Sequence, residues 1–189
     1  LNTPEVSTVF VSTDDNEIAE IAKGLGAEVP FLRPAFLADD LASPGEAMAF
    51  DLRRLVEMGV HPSAVMNLYP THPFRNPALL SRLIGKIRHD GYREARTVRC
   101  KRVGEQTFCS MELDGRLKWV RPFGPLSKSG LFMQPDGLCE IYRTTPDWYR
   151  CMYLEKISDP MMLIDIDAPM DLELMRYVVR HNLFDFKAS

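Results

Sequence analysis

The sequence predicts an α/β domain with a mixed, mainly parallel sheet flanked by helices, and three observations lead there. Short apolar runs alternate with stretches of helical periodicity over residues 6–87. The runs give way to polar or proline-rich loops. The last run, residues 161–166, delivers Asp165 and Asp167 to the point where a strand yields to a helix. At 189 residues the chain is long enough for one sizeable core and short for two, so a single domain over 1–189 is expected.

Each element has a local cause. Residues 6–11 read as a buried strand running into Ser12-Thr13-Asp14-Asp15, where Asp14 can cap a helix with Glu17 three residues on. Ile18, Ile21, Ala22 and Leu25 repeat at helical spacing, and Gly24 and Gly26 stop the helix. Residues 29–32 form a short second strand, completing a βαβ unit. Ser43-Pro44-Gly45-Glu46 has the form of a capping box with proline at the first helical position. The strand at 64–68 ends in a proline-rich ordered loop, residues 69–75, and Asn76 and Pro77 open the next helix.

From Ala95 the alternation turns β-rich. Residues 97–100 and 106–113 read as strands, Asp114-Gly115 as a hairpin turn and residues 117–120 as the return strand. Residues 121–134 are expected to be loop. The stretch 100–135 can leave the main sheet as an arm whose Trp119, Phe123, Leu131 and Phe132 invite a partner surface. A strand at 137–142, a short helix from Pro146, the strand at 161–166 and a closing helix over 169–181 complete the order.

Composition narrows the function. A net charge of −3 and a pI near 5.8 give no electrostatic case for nucleic acid or an anionic membrane. No run of 18 apolar residues spans a bilayer and no basic, then apolar, leader opens the chain. Cys100, Cys109, Cys139 and Cys151 show no CxxC spacing, which makes zinc improbable and reduced thiols in a cytoplasmic protein the default.

In a strand, Asp165 and Asp167 would share one face about 6.6 Å apart at the carboxyl edge of the sheet, where open α/β folds bind ligands. Two carboxylates with room for water and phosphate suit Mg²⁺. The competing reading is that Asp167 caps the helix opened by Pro169 and Asp165 is a solvated strand end. Arg33, after a strand and before a proline, can present its guanidinium to phosphate or pair with Asp39 or Asp40. Arg75 can clamp an anion or hydrogen-bond loop carbonyls and hold residues 70–73. His72 can act as a base or be structural. The chain carries neither a Walker loop nor G-x-G-x-x-G, so nucleotide chemistry would rest on aspartates and arginines.

Four blocks in order carry a family resemblance. They are Val11-Ser12-Thr13-Asp14-Asp15-Asn16-Glu17-Ile18-Ala19, Gly26 to Pro34 with Leu37-Ala38-Asp39-Asp40-Leu41-Ala42-Ser43, Pro70-Thr71-His72-Pro73-Phe74-Arg75, and Asp165-Ile166-Asp167-Ala168-Pro169-Met170-Asp171-Leu172. Together they closely resemble the acylneuraminate cytidylyltransferases, the CMP-sialic acid synthetases and their relatives for other nonulosonic acids. The resemblance implies a nucleotide-diphosphosugar transferase fold and transfer of a cytidylyl group from CTP to a sugar acid, with Mg²⁺ as cofactor. It implies Asp165 and Asp167 as the metal pair, and Arg33 and Ser43 as nucleotide-binding residues. Tyr69, Thr71, His72 and Arg75 fall in the loop facing the acceptor sugar, and the 100–135 arm in a region that builds a homodimer.

The departures are specific. The family's first strand and its Gly, Arg, Ser and Lys-rich triphosphate loop have no counterpart after Leu1. Pro44 stands where a nucleotide-contacting serine is common, beside Ser43. Tyr69 replaces a glutamine, His72 a serine and Ala168 a threonine, and Asp136-Gly137-Leu138 only echoes an N-G-A block. Two further readings therefore stand beside the enzyme for a sialic acid-like sugar: a non-catalytic dimeric homologue or fragment without the triphosphate loop, and an enzyme for a ketodeoxyoctonate-type sugar.

Overall fold

The computed structural model describes residues 3–39, 42–102, 108–111, 117–120 and 131–187, with backbone alone at 101–102, 108–111, 117–120 and 131–132. They group into two compact units, Leu1–Ser63 and Ala64–Ser189.

In the first unit, helix α1 spans Asn16–Gly24. Its cap is Asp15 rather than Asp14: the Asp15 carboxylate accepts from the backbone of Glu17 at 2.7 Å and Ile18 at 3.0 Å. Gly26, at φ +88°, turns the chain out of the helix. The expected strands at 6–11 and 29–32 reduce to one parallel bridge, Phe10 to Glu28. Two bonds make it: Val11 N–H donates to the Glu28 carbonyl and Glu28 N–H to that of Val9. A single 3-10 turn, Ala35–Leu37, leads to α2, Pro44–Glu57. The predicted capping box is present, with Glu46 N–H donating to Ser43 Oγ at 3.1 Å and Ser43 N–H to the Glu46 carboxylate at 3.3 Å.

In the second unit, the elements are β1 (Ala64–Asn67), α3 (Pro77–Arg88), β2 (Tyr92–Arg102), β3 (Phe108–Met111), β4 (Leu117–Val120), β5 (Leu131–Arg143), β6 (Arg150–Lys156) and α4 (Pro169–Arg180). Asn76 caps α3 through Ala78 N–H at 2.7 Å, with Pro77 at its first position. The four-stranded sheet has the order β1-β5-β2-β6. It is mixed, as expected, but not mainly parallel: β1–β5 and β5–β2 are antiparallel and only β2–β6 is parallel. The cause is the long ribbon of β2 and β5, which doubles back on itself and fills the middle of the sheet. Helix α3 packs on one face, where Leu79, Leu83, Ile87, Ala95, Leu138 and Ile141 are buried together.

Three expectations are corrected. Residues 131–134, read as loop, belong to β5. The stretch after Pro146 is no helix; it leads into β6, whose entry is fixed by Tyr149 and Arg150 N–H groups donating to the Gly91 carbonyl. Gly91 is required there, at φ +73° with Tyr149 packed where a Cβ would stand. Residues 161–166 are not a strand: 160–163 form turns, closed by Leu163 N–H to Pro160 and Ile164 N–H to Met161, and 164–166 follow without regular structure. Strands β3 and β4 pair antiparallel from Phe108–Val120 to Met111–Leu117, while the Asp114-Gly115 turn between them, and the side chains of Trp119, Phe123, Leu131 and Phe132, lie outside the described residues.

Cys100, Cys139 and Cys151 are free thiols. Among the described residues no helix is long and apolar enough to cross a membrane.

Candidate active site

The site in the second unit begins with an interruption of its longest ladder. Arg96 on β2 faces Glu140 and Val98 faces Pro135, so Thr97 alone stands opposite residues 136–139. An isolated glycine with a short acid inside a strand, Asp136-Gly137, was the legible signal for such a bulge. The Thr97 hydroxyl takes over the broken pairing: it donates to Asp136 Oδ1 at 2.5 Å and accepts Cys139 N–H at 3.1 Å. Asp136 Oδ1 also accepts Leu138 N–H at 3.1 Å. Thr97 is fully buried and Asp136 is 5% exposed, so a neutral donor in each case satisfies groups that water cannot reach.

The bulge pushes Gly137 and Leu138 onto the 69–75 loop. Tyr69 N–H donates to the Gly137 carbonyl at 3.4 Å, and Arg75 Nε donates to the Leu138 carbonyl at 2.8 Å. Arg75 Nη2 donates to the Tyr69 carbonyl. Its guanidinium thus braces the loop, the second of the two roles open to it in the sequence, and burial pushes its pKa down to about 10. Gly137 packs so tightly that a Cβ would come within 2.9 Å of the Tyr69 ring.

A third segment joins through Ile166 N–H, which donates to the Thr71 carbonyl at 2.9 Å. This brings Asp165 against His72, with Oδ1 3.3 Å from Nδ1. Thr71 Oγ1 lies 3.3 Å from the same nitrogen. His72 is 3% exposed. Burial lowers its pKa, the carboxylates of Asp165 and Asp136 pull it back up, and Arg75 and Arg99 oppose them, leaving a net downward shift and a neutral ring at neutral pH. Its Nε2, the Oδ1 of Asp165 and the Oδ2 of Asp136 are buried without a hydrogen bond.

Asp167 is exposed, and the bland capping role falls to another residue. The N-cap of α4 is Ala168, which has no acceptor, and Asp171 reaches back to accept Asp167 N–H at 3.1 Å and Ala168 N–H at 2.8 Å. Among the described residues no three His, Cys, Asp or Glu side chains converge as a closed metal cage. The donor set that remains is the solvent-facing side of the Asp165 carboxylate, whose Oδ1 is enclosed against His72, and the open carboxylate of Asp167. Carboxylates of this kind have the hard-oxygen chemistry that a hydrated Mg²⁺ takes when its other ligands are water and phosphate.

The opposite face of the sheet from α3 carries a network that the apolar pattern did not disclose. Arg96 donates through Nε to Glu94, through Nη1 to Glu140 at 3.1 Å and through Nη2 to the Tyr142 hydroxyl at 2.7 Å, and that hydroxyl donates to Glu140 at 2.9 Å. The signal was polar and charged side chains at two-residue spacing within two strands, Glu94 with Arg96 and Glu140 with Tyr142. Burial, then Glu140, raises the Tyr69 pKa, which ties this face to the 69–75 loop.

In the first unit, Arg33 N–H donates to the Thr13 carbonyl at 2.8 Å and its guanidinium lies 4.0 Å from Asp14. Its Nε is buried without a partner. Burial raises the pKa of nearby Asp51, against a Ser12 hydrogen bond and the charge of Arg33. Ser43 accepts the capping bond and keeps its hydroxyl proton to donate. The structure thus brings Tyr69, Thr71, His72, Arg75 and Asp165 together in one unit, with Arg33 and Ser43 in the other.

Comparison with known proteins gives the family of the chain. The family described as cytidylyltransferase matches residues 1–145. The chain is 28% identical over 197 positions to the CMP-N,N'-diacetyllegionaminic acid synthase of Legionella pneumophila, covering 92% of this chain and 78% of that protein. It is 34% identical over 87 positions to the pseudaminic acid cytidylyltransferase of Campylobacter jejuni, covering 46% and 38%. The solved structure of a CMP:2-keto-3-deoxy-manno-octonic acid synthetase complexed with CTP shares the fold, with a TM-score of 0.60 at 13% identity over 95% of this chain and 83% of that one. By the family match over residues 1–145, the chain belongs to the cytidylyltransferase family.

Proposed function

We propose that this protein transfers a cytidylyl group from CTP to a nonulosonic, sialic acid-like sugar, giving the CMP-sugar and pyrophosphate. The observation that carries the reading is the convergence of the 69–75 loop, the Gly137 bulge and Asp165 in a chain of this family. In the reaction the anomeric hydroxyl of the sugar acid attacks the α-phosphorus. A new P–O bond forms, the bond to the β-phosphate oxygen breaks, pyrophosphate leaves, and the hydroxyl proton passes to solvent.

Such chemistry is positioning plus charge neutralisation. Arg33 and Ser43 serve the nucleotide, the first as a cation and the second as a hydroxyl donor. Tyr69 and Thr71 meet the acceptor, on a loop that Arg75 braces from behind. Mg²⁺, when held by Asp165 and Asp167, would supply charge neutralisation to the phosphates. The protein acts in the cytoplasm on small molecules, without nucleic acid or membrane, as a homodimer built through the 100–135 arm.

The test is a Mg²⁺-dependent pyrophosphate-release assay with CTP and a panel of nonulosonic and ketodeoxyoctonate acids. Turnover with a nonulosonic acid supports the reading. Turnover with the ketodeoxyoctonate alone reassigns the acceptor. No turnover and no CTP binding would favour the non-catalytic homologue.

A further inference from the structure

Asp165 has no strand ladder to hold it. Its segment is tied to the loop by the single bond from Ile166 N–H to the Thr71 carbonyl. Its inner oxygen is buried, makes no directed hydrogen bond, and has the His72 imidazole 3.3 Å away. The side chain is one quarter exposed, and since Oδ1 is enclosed, that exposure belongs to the outer part of the group. The carboxylate is thus set with one oxygen against the ring and its other side toward solvent.

The ring itself is fixed on several sides. Its backbone N–H donates to the Tyr69 carbonyl at 3.2 Å, and Gly137 leaves room for it where a Cβ would stand 3.0 Å from Cε1. The imidazole interacts with both Asp136 and Asp165, two carboxylates that would otherwise repel each other in a poorly solvated pocket.

We infer that His72 is a positioning residue for the divalent cation, setting the orientation of the Asp165 carboxylate through Nδ1. The inference rests on the reading of Asp165 and Asp167 as the cation pair. Groups behind metal-binding side chains hold them in place, and their loss typically weakens metal affinity by about 10–100-fold. An asparagine at this position places its amide nitrogen near that of Nδ1, whereas a glutamine reaches toward Nε2, so the two separate the role of each ring nitrogen.

The experiment measures Mn²⁺ binding to the full chain with CTP present, by the electron paramagnetic resonance signal of the free ion, with circular dichroism to confirm folding. His72→Ala and His72→Gln are expected to weaken Mn²⁺ about 10-fold or more, while His72→Asn recovers most of the affinity. Asp167→Asn serves as the reference for the pair. If Asp167→Asn weakens binding but His72→Ala or both amide variants bind as the wild type does, the positioning role is overturned and the cation pair stands. If Asp167→Asn and Asp165→Asn both leave Mn²⁺ affinity unchanged, the cation pair falls and the inference with it. Should His72→Ala fail to fold, the difference between the asparagine and glutamine variants decides.

Discussion

Gly137 and His72 are packed so closely that a Cβ on the glycine would stand 3.0 Å from the imidazole Cε1 and 3.1 Å from Nδ1. The glycine is needed for space, since its backbone is not among the positive-φ positions. Gly137→Ala is expected to cost about 1–3 kcal/mol through overpacking. It should also raise the acceptor KM while leaving the KM for CTP unchanged. Urea denaturation and steady-state kinetics check both; wild-type values in each would mean that the loop shifts at no cost.

Thr97 substitutes for a missing stretch of ladder with one hydroxyl. In Thr97→Val the Asp136 carboxylate loses its 2.5 Å donor and Cys139 N–H its 3.1 Å acceptor. The expected loss is about 1–3 kcal/mol, with Thr97→Ser near wild type. A chemical melt of the three proteins measures it, and equal midpoints for valine and threonine would refute the bridging role.

Arg75 is held by two carbonyls from different segments, Leu138 and Tyr69. A lysine keeps the charge but has no planar fork to reach both. Arg75→Lys should cost about 1–3 kcal/mol and speed proteolytic cleavage within residues 69–75. If it instead changed only CTP affinity, the guanidinium would be a ligand group and not a brace.

Burial pushes the Cys139 thiol up to about 12 from an ordinary 9.0. The folded protein keeps this proton where the unfolded chain has lost it, so the contribution is full below pH 9, falls as pH rises toward 12, and favours unfolding in that window. Below it, alkylation of the native protein at pH 8 should mark exposed Cys151 and spare Cys139. Peptide mass mapping reads each site separately, and rapid native labelling of Cys139 would contradict its burial.

Asp167 is exposed and its side chain caps nothing, since Asp171 holds the start of α4. Asp167→Asn should therefore abolish Mg²⁺-dependent turnover while leaving the melting temperature within about 1–2 °C of wild type. Unchanged turnover at saturating Mg²⁺ would remove Asp167 from the cation pair.

What could be read from the sequence was what depends on neighbours in the chain. The Ser43–Glu46 box, Asn76 before Pro77, the proline-rich loop and the strand at Leu117–Val120 are short-range chemistry, and all are present. Strand pairing is not local. Residues 161–166 are as apolar as a strand requires, yet Pro160 closes a turn through the Leu163 N–H and, among the described residues, no strand pairs with them. Strand β6 escaped notice because its side chains are largely exposed, so no apolar alternation marks it. The loop was singled out from its prolines and from the family resemblance, and Asp165 from acid spacing on an expected strand that is absent. Thr97 and Asp136 were not, because their bond joins positions 39 apart.

The bulge opposite Thr97 gives one ribbon two independent reading frames. Before it, Glu94, Ala95 and Arg96 face Tyr142, Ile141 and Glu140; after it, Val98 to Arg102 face Pro135 to Leu131. A one-residue slip in an uninterrupted pair would turn every later side chain to the wrong face. Here the slack in residues 136–139 absorbs it. A change of register in the outer half therefore leaves the buried and charged faces of the inner half where they are.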